Sequence, residues 1–178
     1  TSHTGKSTLA RHLAQRENWT AASTDQLARH PGRPWATQSK PLPPHVAEHY
    51  CTLTADGLLA SVLAHYSSMP PAIAQYIGSQ FSEFPSNRLA LEGSALTPSN
   101  LIHMRLPNVS AIFLTADDAL IKDRIQIQSR YHALENLEKG LVDKFTERAI
   151  RFNDLIVRDA GRFGFPYIHV RDETDLSE

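Results

Sequence analysis

The first eight residues, Thr1-Ser2-His3-Thr4-Gly5-Lys6-Ser7-Thr8, constrain the fold more than any other stretch. They supply every position but the first of G-x-x-x-x-G-K-[ST], a loop whose backbone amides cradle phosphate oxygens where a strand passes into a helix. By composition a G-K-[ST] triplet arises by chance in roughly one chain of this size in ten, so its placement has to carry the reading. Placement favours it: "GKSTLARHLAQRE" sets Leu9, Leu13 and the alanines at helical spacing to about Glu17. Amides at that helix start, backed by the positive end of the macrodipole, suit an anion. Lys6 would neutralise β- and γ-phosphates, and Ser7 would turn its hydroxyl to Mg2+. Thr4, Gly5 and Thr8 complete the expected nucleotide-binding set. The alternative is a solvated terminus in which Ser2 or Thr4 merely caps a helix.

At 178 residues the chain suits one domain with a sizeable core. Hydrophobic residues make up 41% and charged residues 21%, which argues against extensive disorder. A formal charge of −1 supplies no global field for a nucleic-acid backbone, so nucleic acid is not the expected partner. Phosphorylation of a nucleic-acid end would need a local basic groove that the sequence does not display. One cysteine, Cys51, cannot form an intrachain disulfide, and no apolar run approaches the length of a spanning helix. The expectation is a cytoplasmic protein without a membrane partner.

Along the chain, "NWTAAST" reads as a short buried strand ending at Asp25, with "DQLARH" as a helix stopped by Pro31 and Gly32. The segment "PGRPWATQSKPLPP" is a proline-rich surface loop. Apolar positions from His45 to about Ser67 predict one helix or a pair broken at Gly57, and Pro70-Pro71 opens another to about Phe81. After the "EFPSN" turn, "RLALEGSAL" gives a strand ending in Glu92-Gly93. "NVSAIFLTA" gives another, with Thr115 or Asp117 as cap of the helix "DDALIKDRIQIQSRYHAL". The stripe Leu141, Phe145, Ala149, Phe152, Ile156 and Ala160 predicts a further helix ended by Gly161 and Gly164, and "YIHV" is the last strand. Strands alternating with helices predict an α/β fold with a mainly parallel sheet covered on both faces.

Two carboxylates fall where such a sheet opens its ligand crevice, at the C-terminal ends of strands. Asp25 would accept or orient a substrate hydroxyl, and Glu92 would assist Mg2+. Their plainer roles are a helix N-cap for Asp25 and a solvent-facing charge for Glu92. A separate pattern, "HVAEH", fits H-x-x-E-H, in which His45 and His49 share a helix face and Glu48 activates water on zinc. Its plainer role is a solvated helical face, and no third ligand stands out.

With these residues in view, the chain resembles the P-loop small-molecule kinases related to the nucleoside-monophosphate kinases. The likeness rests on "TSHTGKST" for the phosphate loop, "STDQLAR" for the substrate-side segment, "LALEGSAL" for the strand with its acidic-glycine end, and "DDALIKDRI" for the helix entering a lid. The "STD" segment is similar to that of 2-phosphoglycerate kinases and other kinases acting on hydroxyls. The resemblance implies a P-loop NTPase three-layer sandwich with strand order 2-3-1-4-5, over residues 1–178 as a single domain. It also implies a helical acceptor-binding insert at about 43–84 and a lid at about 124–142, with Arg124 and Arg130 closing over the phosphates. The first strand of that order is missing from the sequence, so an upstream apolar strand ending in glycine is expected. "RHPGRPW", His30 to Trp35, departs from the phosphoglycerate kinases: Arg33 and Trp35 would face an anionic or planar acceptor, or form a rigid turn with Trp35 packed inside.

The resulting expectation is an ATP- and Mg2+-dependent phosphotransferase acting on a small-molecule hydroxyl. Lys6, Asp25, Arg124 and Arg130 would be catalytic, Ser7 and Glu92 would hold the metal, and Asp25 and Arg33 would meet the acceptor. Its rivals are a nucleotide-binding module without transfer activity and, through His45, Glu48 and His49, a zinc hydrolase.

Overall fold

The computed structural model describes residues 3–28, 32–37, 40–83 and 88–171. The Ser2 cap, the His30-Pro31 start of the proline-rich segment and most of the "EFPSN" turn lie outside these residues. Within them the chain is mixed α/β, with seven α-helices and four short strands. The order is α1 (Lys6–Glu17), β1 (Thr20–Ser23), α2 (Pro44–Thr52), α3 (Ala55–Ser67), α4 (Pro70–Glu83), β2 (Leu89–Glu92), α5 (Pro98–Met104), β3 (Phe113–Ala116), α6 (Asp118–Ser129), α7 (Asn136–Phe163) and β4 (Tyr167–Val170). No helix among the described residues is long and apolar enough to cross a membrane.

Every pairing between these strands is parallel, as strands joined through helices must be. They form two separate pairs among the described residues, not one continuous sheet. In the first, Thr20 to Ser23 of β1 match Leu89 to Glu92 of β2. In the second, Phe113 to Ala116 of β3 match Tyr167 to Val170 of β4. Helix α1 packs on the first pair, while α7 packs on β3 and gathers α2, α3, α5 and α6 around itself.

The long helix α7 organises the main core. Its Leu141, Val142, Phe145 and Ala149 are buried against Ile121 and Ile125 of α6, Leu114 of β3 and Val170 of β4. Farther along, Phe152, Ile156 and Ala160 meet Phe113. The predicted stripe is therefore the buried face, as a 3.6-residue period requires. A reciprocal capping box between Glu135 and Glu138 starts the helix, and Gly164, in the left-handed region at φ 71°, ends it. Gly161 lies inside α7 and does not terminate it.

Other boundaries differ from the sequence reading for local reasons. The described part of "DQLARH", Asp25 to Ala28, is not an α-helix, and Arg29 and His30 lie outside the described residues: Thr24 to Gln26 form a single 3-10 turn, started by Ser23, whose hydroxyl accepts from the Asp25 amide. The break between α2 and α3 falls at Leu53-Thr54, because Thr54 caps α3 by accepting from the Gly57 amide at 3.2 Å, which places Gly57 inside the helix. The strand in "NVSAIFLTA" is confined to Phe113–Ala116. Asp117 sits at the N-cap of α6 without bonding its amides, and instead accepts from His169 Nε2 at 3.1 Å. Helix α5 was not expected, although Thr97 caps it and Pro98 opens it.

Candidate functional site

The opening residues turn sharply before α1. His3 has φ 62° and Gly5 has φ 85°, both left-handed, and Gly5 is the N-cap of the helix. The Gly5 carbonyl accepts from the amides of Thr8 and Leu9, each at 3.0 Å, which closes the first turn. No side chain caps this helix and no acidic residue lies in its first turn. Its positive end is thus left without an internal carboxylate, as an anion site at a helix start requires.

Thr4 is fully buried, and side chains from distant parts of the chain hold the loop. Arg124 of α6 donates from Nη1 to the His3 carbonyl at 2.9 Å. One turn later, Gln128 presents Oε1 to His3 Nε2 at 2.7 Å. The imidazole therefore carries its proton on Nε2, which leaves Nδ1 as a buried acceptor without a hydrogen-bond partner among the described residues. Its ring meets Phe145 edge-on at 5.9 Å and lies 6.3 Å from Trp35. Burial, against the opposing Gln128 bond and with help from the cations Arg33, Lys6 and Arg124, lowers its pKa from 6.5 to about 4. His3 is accordingly a neutral part of the loop.

Lys6 and Ser7 meet the ends of β1 and β2. Ser7 Oγ donates to Glu92 Oε1 at 3.1 Å, joining the first turn of α1 to the last residue of β2. Lys6 is half-buried, and desolvation lowers its pKa, opposed by the attraction of Glu92 and Asp25 and helped slightly by the repulsion of Arg33. One ammonium thus shares a site with the two carboxylates expected to serve the acceptor and the metal. Asp25 is exposed, and since Ser23 supplies the cap, the Asp25 carboxylate is not spent on a helix start. Glu92 is half-buried and engaged with Ser7, not a free strand-end charge. Gly93 follows at φ 151°, with Thr24 packed into the space a side chain would need.

In the proline-rich segment the structure bears on the packing role of Trp35. Trp35 is buried, its ring 5.0 Å from that of Phe145. Arg33 lies over the indole, 5.9 Å from the ring centroid. Burial lowers the Arg33 pKa, and the attraction of Asp25 opposes this, which places the guanidinium beside the same carboxylate as Lys6. Thr8 is exposed on the first turn of α1. Arg130 is exposed at the end of α6 with φ 54°, and no contact among the described residues links its side chain to the loop.

His45 and Glu48 are exposed on α2, while His49 turns its ring onto Tyr50. Burial and nearby Arg148 lower the His49 pKa. Among the described residues, no group of three or more His, Cys, Asp or Glu side chains is placed to hold a metal ion. A wide depression of about 710 Å3 opens at the C-terminal ends of β3 and β4, lined in part by Asp117, Asn153, Asp154, His169 and Arg171. None of Lys6, Ser7, Asp25 and Glu92 lines it; those four bring an ammonium, a hydroxyl and two carboxylates to the start of α1.

Several participants escaped the sequence reading. Gln128 had no local signal. Arg148 did have one: it stands three residues after Phe145 and four before Phe152, on the apolar face of α7, where a solvated arginine does not belong. No protein-family model, no curated protein and no solved structure matches the chain.

Proposed function

We propose that this chain is an ATP- and Mg2+-dependent phosphotransferase that acts on a hydroxyl of a small molecule. The contact between Ser7 and Glu92 at 3.1 Å, with Lys6 drawn toward both Glu92 and Asp25, carries this reading. The strand pairs add support, since removing the first strand from the order 2-3-1-4-5 leaves two parallel pairs, 2-3 and 4-5. The helices α2, α3 and α4 between β1 and β2 stand where the acceptor-binding insert is expected, and the turn between α6 and α7 stands where the lid is expected.

The residues suit the groups they would hold. A hydroxyl and a carboxylate oxygen are the hard ligands that magnesium takes, and Mg2+ usually needs few of them from protein. The uncapped start of α1, with the Lys6 ammonium beside it, suits a polyphosphate. When bound, magnesium ATP supplies a transferable γ-phosphoryl group. Thr4, Gly5, Lys6, Ser7 and Thr8 bind the nucleotide, and Glu92 holds the metal together with Ser7. Asp25 receives or orients the acceptor hydroxyl proton, and Arg33 steadies the acceptor. Arg124 fixes the loop through the His3 carbonyl, and Arg130 joins it when the lid closes. Catalysis then rests on positioning and electrostatics, without a covalent enzyme intermediate.

Two variants separate this reading from nucleotide binding without transfer. Lys6→Ala should weaken ATP binding at least tenfold, the loss expected for a charge-assisted contact to phosphate. Asp25→Ala should leave ATP binding within about twofold and lower turnover about 100- to 10,000-fold, the range for a general base. Turnover is read as ADP release across a pool of small hydroxylated metabolites. Unchanged turnover in Asp25→Ala would remove the acceptor role from that carboxylate.

A further inference from the structure

Two residues of α6 take hold of one residue in the loop before α1. Arg124 donates from Nη1 to the His3 carbonyl at 2.9 Å, and Gln128, one helical turn on, presents Oε1 to His3 Nε2 at 2.7 Å. Positions four apart share a helix face, so both bonds come from the same side of α6. They reach across 121 and 125 residues of sequence to a residue that needs holding. His3 stands at φ 62°, where a side chain crowds its own backbone, and it belongs to no helix or strand. Thr4 beside it is fully buried, and Gly5 then caps α1. The path of the chain into the helix start is therefore set at His3, from outside the loop.

The two bonds differ in kind. Arg124 fixes backbone. Gln128 fixes the imidazole, and it does so with a neutral acceptor, which keeps the ring proton on Nε2 and leaves Nδ1 buried beside the rings of Trp35 and Phe145. The charged groups that act on the ring are the cations Lys6 of α1, Arg33 of the proline-rich segment and Arg124 of α6, while α7 meets it with Phe145. An amide oxygen accepts from imidazole without drawing a second proton onto it. A carboxylate at the same place would favour the imidazolium and, once that proton left, would stand as a bare negative charge beside the start of α1.

We propose that Gln128 is a positioning residue for the nucleotide: acting through His3, it holds the loop in its anion-ready shape, with the imidazole proton kept on Nε2, before the phosphates arrive. This rests on the phosphotransferase reading, in which Gly5, Lys6 and Ser7 meet those phosphates. Preorganisation of this kind raises affinity because the empty loop has little left to order.

Magnesium ATP is titrated by calorimetry at pH 5 and pH 8 into the intact chain, Gln128→Leu and Gln128→Glu. Gln128 is exposed, and leucine and glutamate are both good helix formers, so α6 should survive either change. Gln128→Leu should bind ATP about three- to tenfold more weakly at both pH values, the worth of about one hydrogen bond. Gln128→Glu keeps the acceptor and changes the charge. Its carboxylate should lift the His3 pKa from about 4 into the range of about 5–7, which nitrogen-15 NMR of the imidazole reads directly. At pH 5 imidazolium and carboxylate then neutralise each other, and binding should lie within about twofold of the parent. At pH 8 the carboxylate stands alone, and affinity should fall at least about threefold behind the parent. Comparison with the parent at the same pH cancels the titration of ATP itself. A contact that only braced the fold would lower the melting temperature and leave that ratio independent of pH. Gln128→Leu binding as tightly as the parent, or a Gln128→Glu ratio that is the same at both pH values, overturns the proposal. Absence of ATP binding by the parent would instead overturn the phosphotransferase reading and take the proposal with it.

Discussion

Gly93 is the residue whose replacement most directly tests how the site is built. It follows Glu92 with φ 151°, a conformation that side chains rarely adopt, and Thr24 is packed against it. A Cβ there would lie 1.8 Å from Thr24 Oγ1, 2.9 Å from Thr24 Cβ and 3.2 Å from the Thr24 amide nitrogen. Gly93→Ala therefore combines two costs. Overpacking typically contributes about 1–3 kcal/mol, and an unfavourable backbone conformation about 1–3 kcal/mol. Against a total stability of about 5–15 kcal/mol, the combined loss of about 2–6 kcal/mol is large. At about 2–4 °C per kcal/mol for a chain of this length, the melting temperature should fall by roughly 4–24 °C.

A double-mutant cycle distinguishes the two costs. Thr24 Oγ1 is buried without a hydrogen-bond partner among the described residues, so Thr24→Ala should be near neutral or stabilising. In the double variant the hydroxyl obstacle is gone while the backbone cost and the Thr24 Cβ contact remain. Urea unfolding should then show a coupling of about 1–3 kcal/mol, with the m-value unchanged. Strict additivity would mean that Thr24 does not oppose a side chain at position 93, and the packing account of the Glu92-Gly93 end would be wrong. The consequence for function is separable: Gly93→Ala should displace Glu92 from Ser7 and raise the magnesium concentration needed for nucleotide binding.

His3 should make stability depend on acid. Its pKa is 6.5 in the unfolded chain and about 4 when folded, so between those values the unfolded state binds more protons and stability falls as pH drops. His3→Asn, which tolerates the left-handed backbone, should flatten that dependence in urea titrations run from pH 7 to about 4, while the difference from the parent stays constant above about 6.5. Trp35→Ala should cost about 3–5 kcal/mol in the same assay, the loss expected for a buried indole. It should also weaken nucleotide binding, because the ring supports His3 and Arg33 beside the loop.

What could be read from sequence was set by how far apart the interacting residues lie. The loop and α1 were legible because both the glycine-lysine-serine order and the helical spacing are contained in a dozen residues. The buried stripe of α7 was legible because a single period repeats for several turns. Glu92 was placed by a topological rule, since it ends a parallel strand, whereas the strand expected to reach Asp25 stops at Ser23 and Asp25 lies in the turn beyond it. "DQLARH" misled because its composition suits a helix while the Ser23 hydroxyl had already captured the Asp25 amide. Helix α5 escaped because one short turn lacks periodicity, although the Thr97-Pro98 pair was a usable start signal. The contacts that shape the loop, Arg124 to the His3 carbonyl and Gln128 to the His3 ring, join residues far apart in the chain and carry no local pattern.

Charge shows why these separate contacts belong to one site. The whole chain carries a formal charge of −1, yet Lys6 and Arg33 gather beside Asp25, and Lys6 also beside Glu92. Burial lowers the pKa of both Lys6 and Arg33, so each cation is held at a cost that its neighbouring carboxylates only partly offset. His3 adds no charge near neutrality, because its pKa is about 4. A stable fold gains little from desolvated cations that hydrophobic residues of like volume would replace. Their presence is intelligible where an anionic partner returns the lost solvation, and the polyphosphate proposed at the start of α1 is such a partner. Nucleotide affinity should accordingly fall as salt is added, a dependence that an overall charge of −1 would not produce.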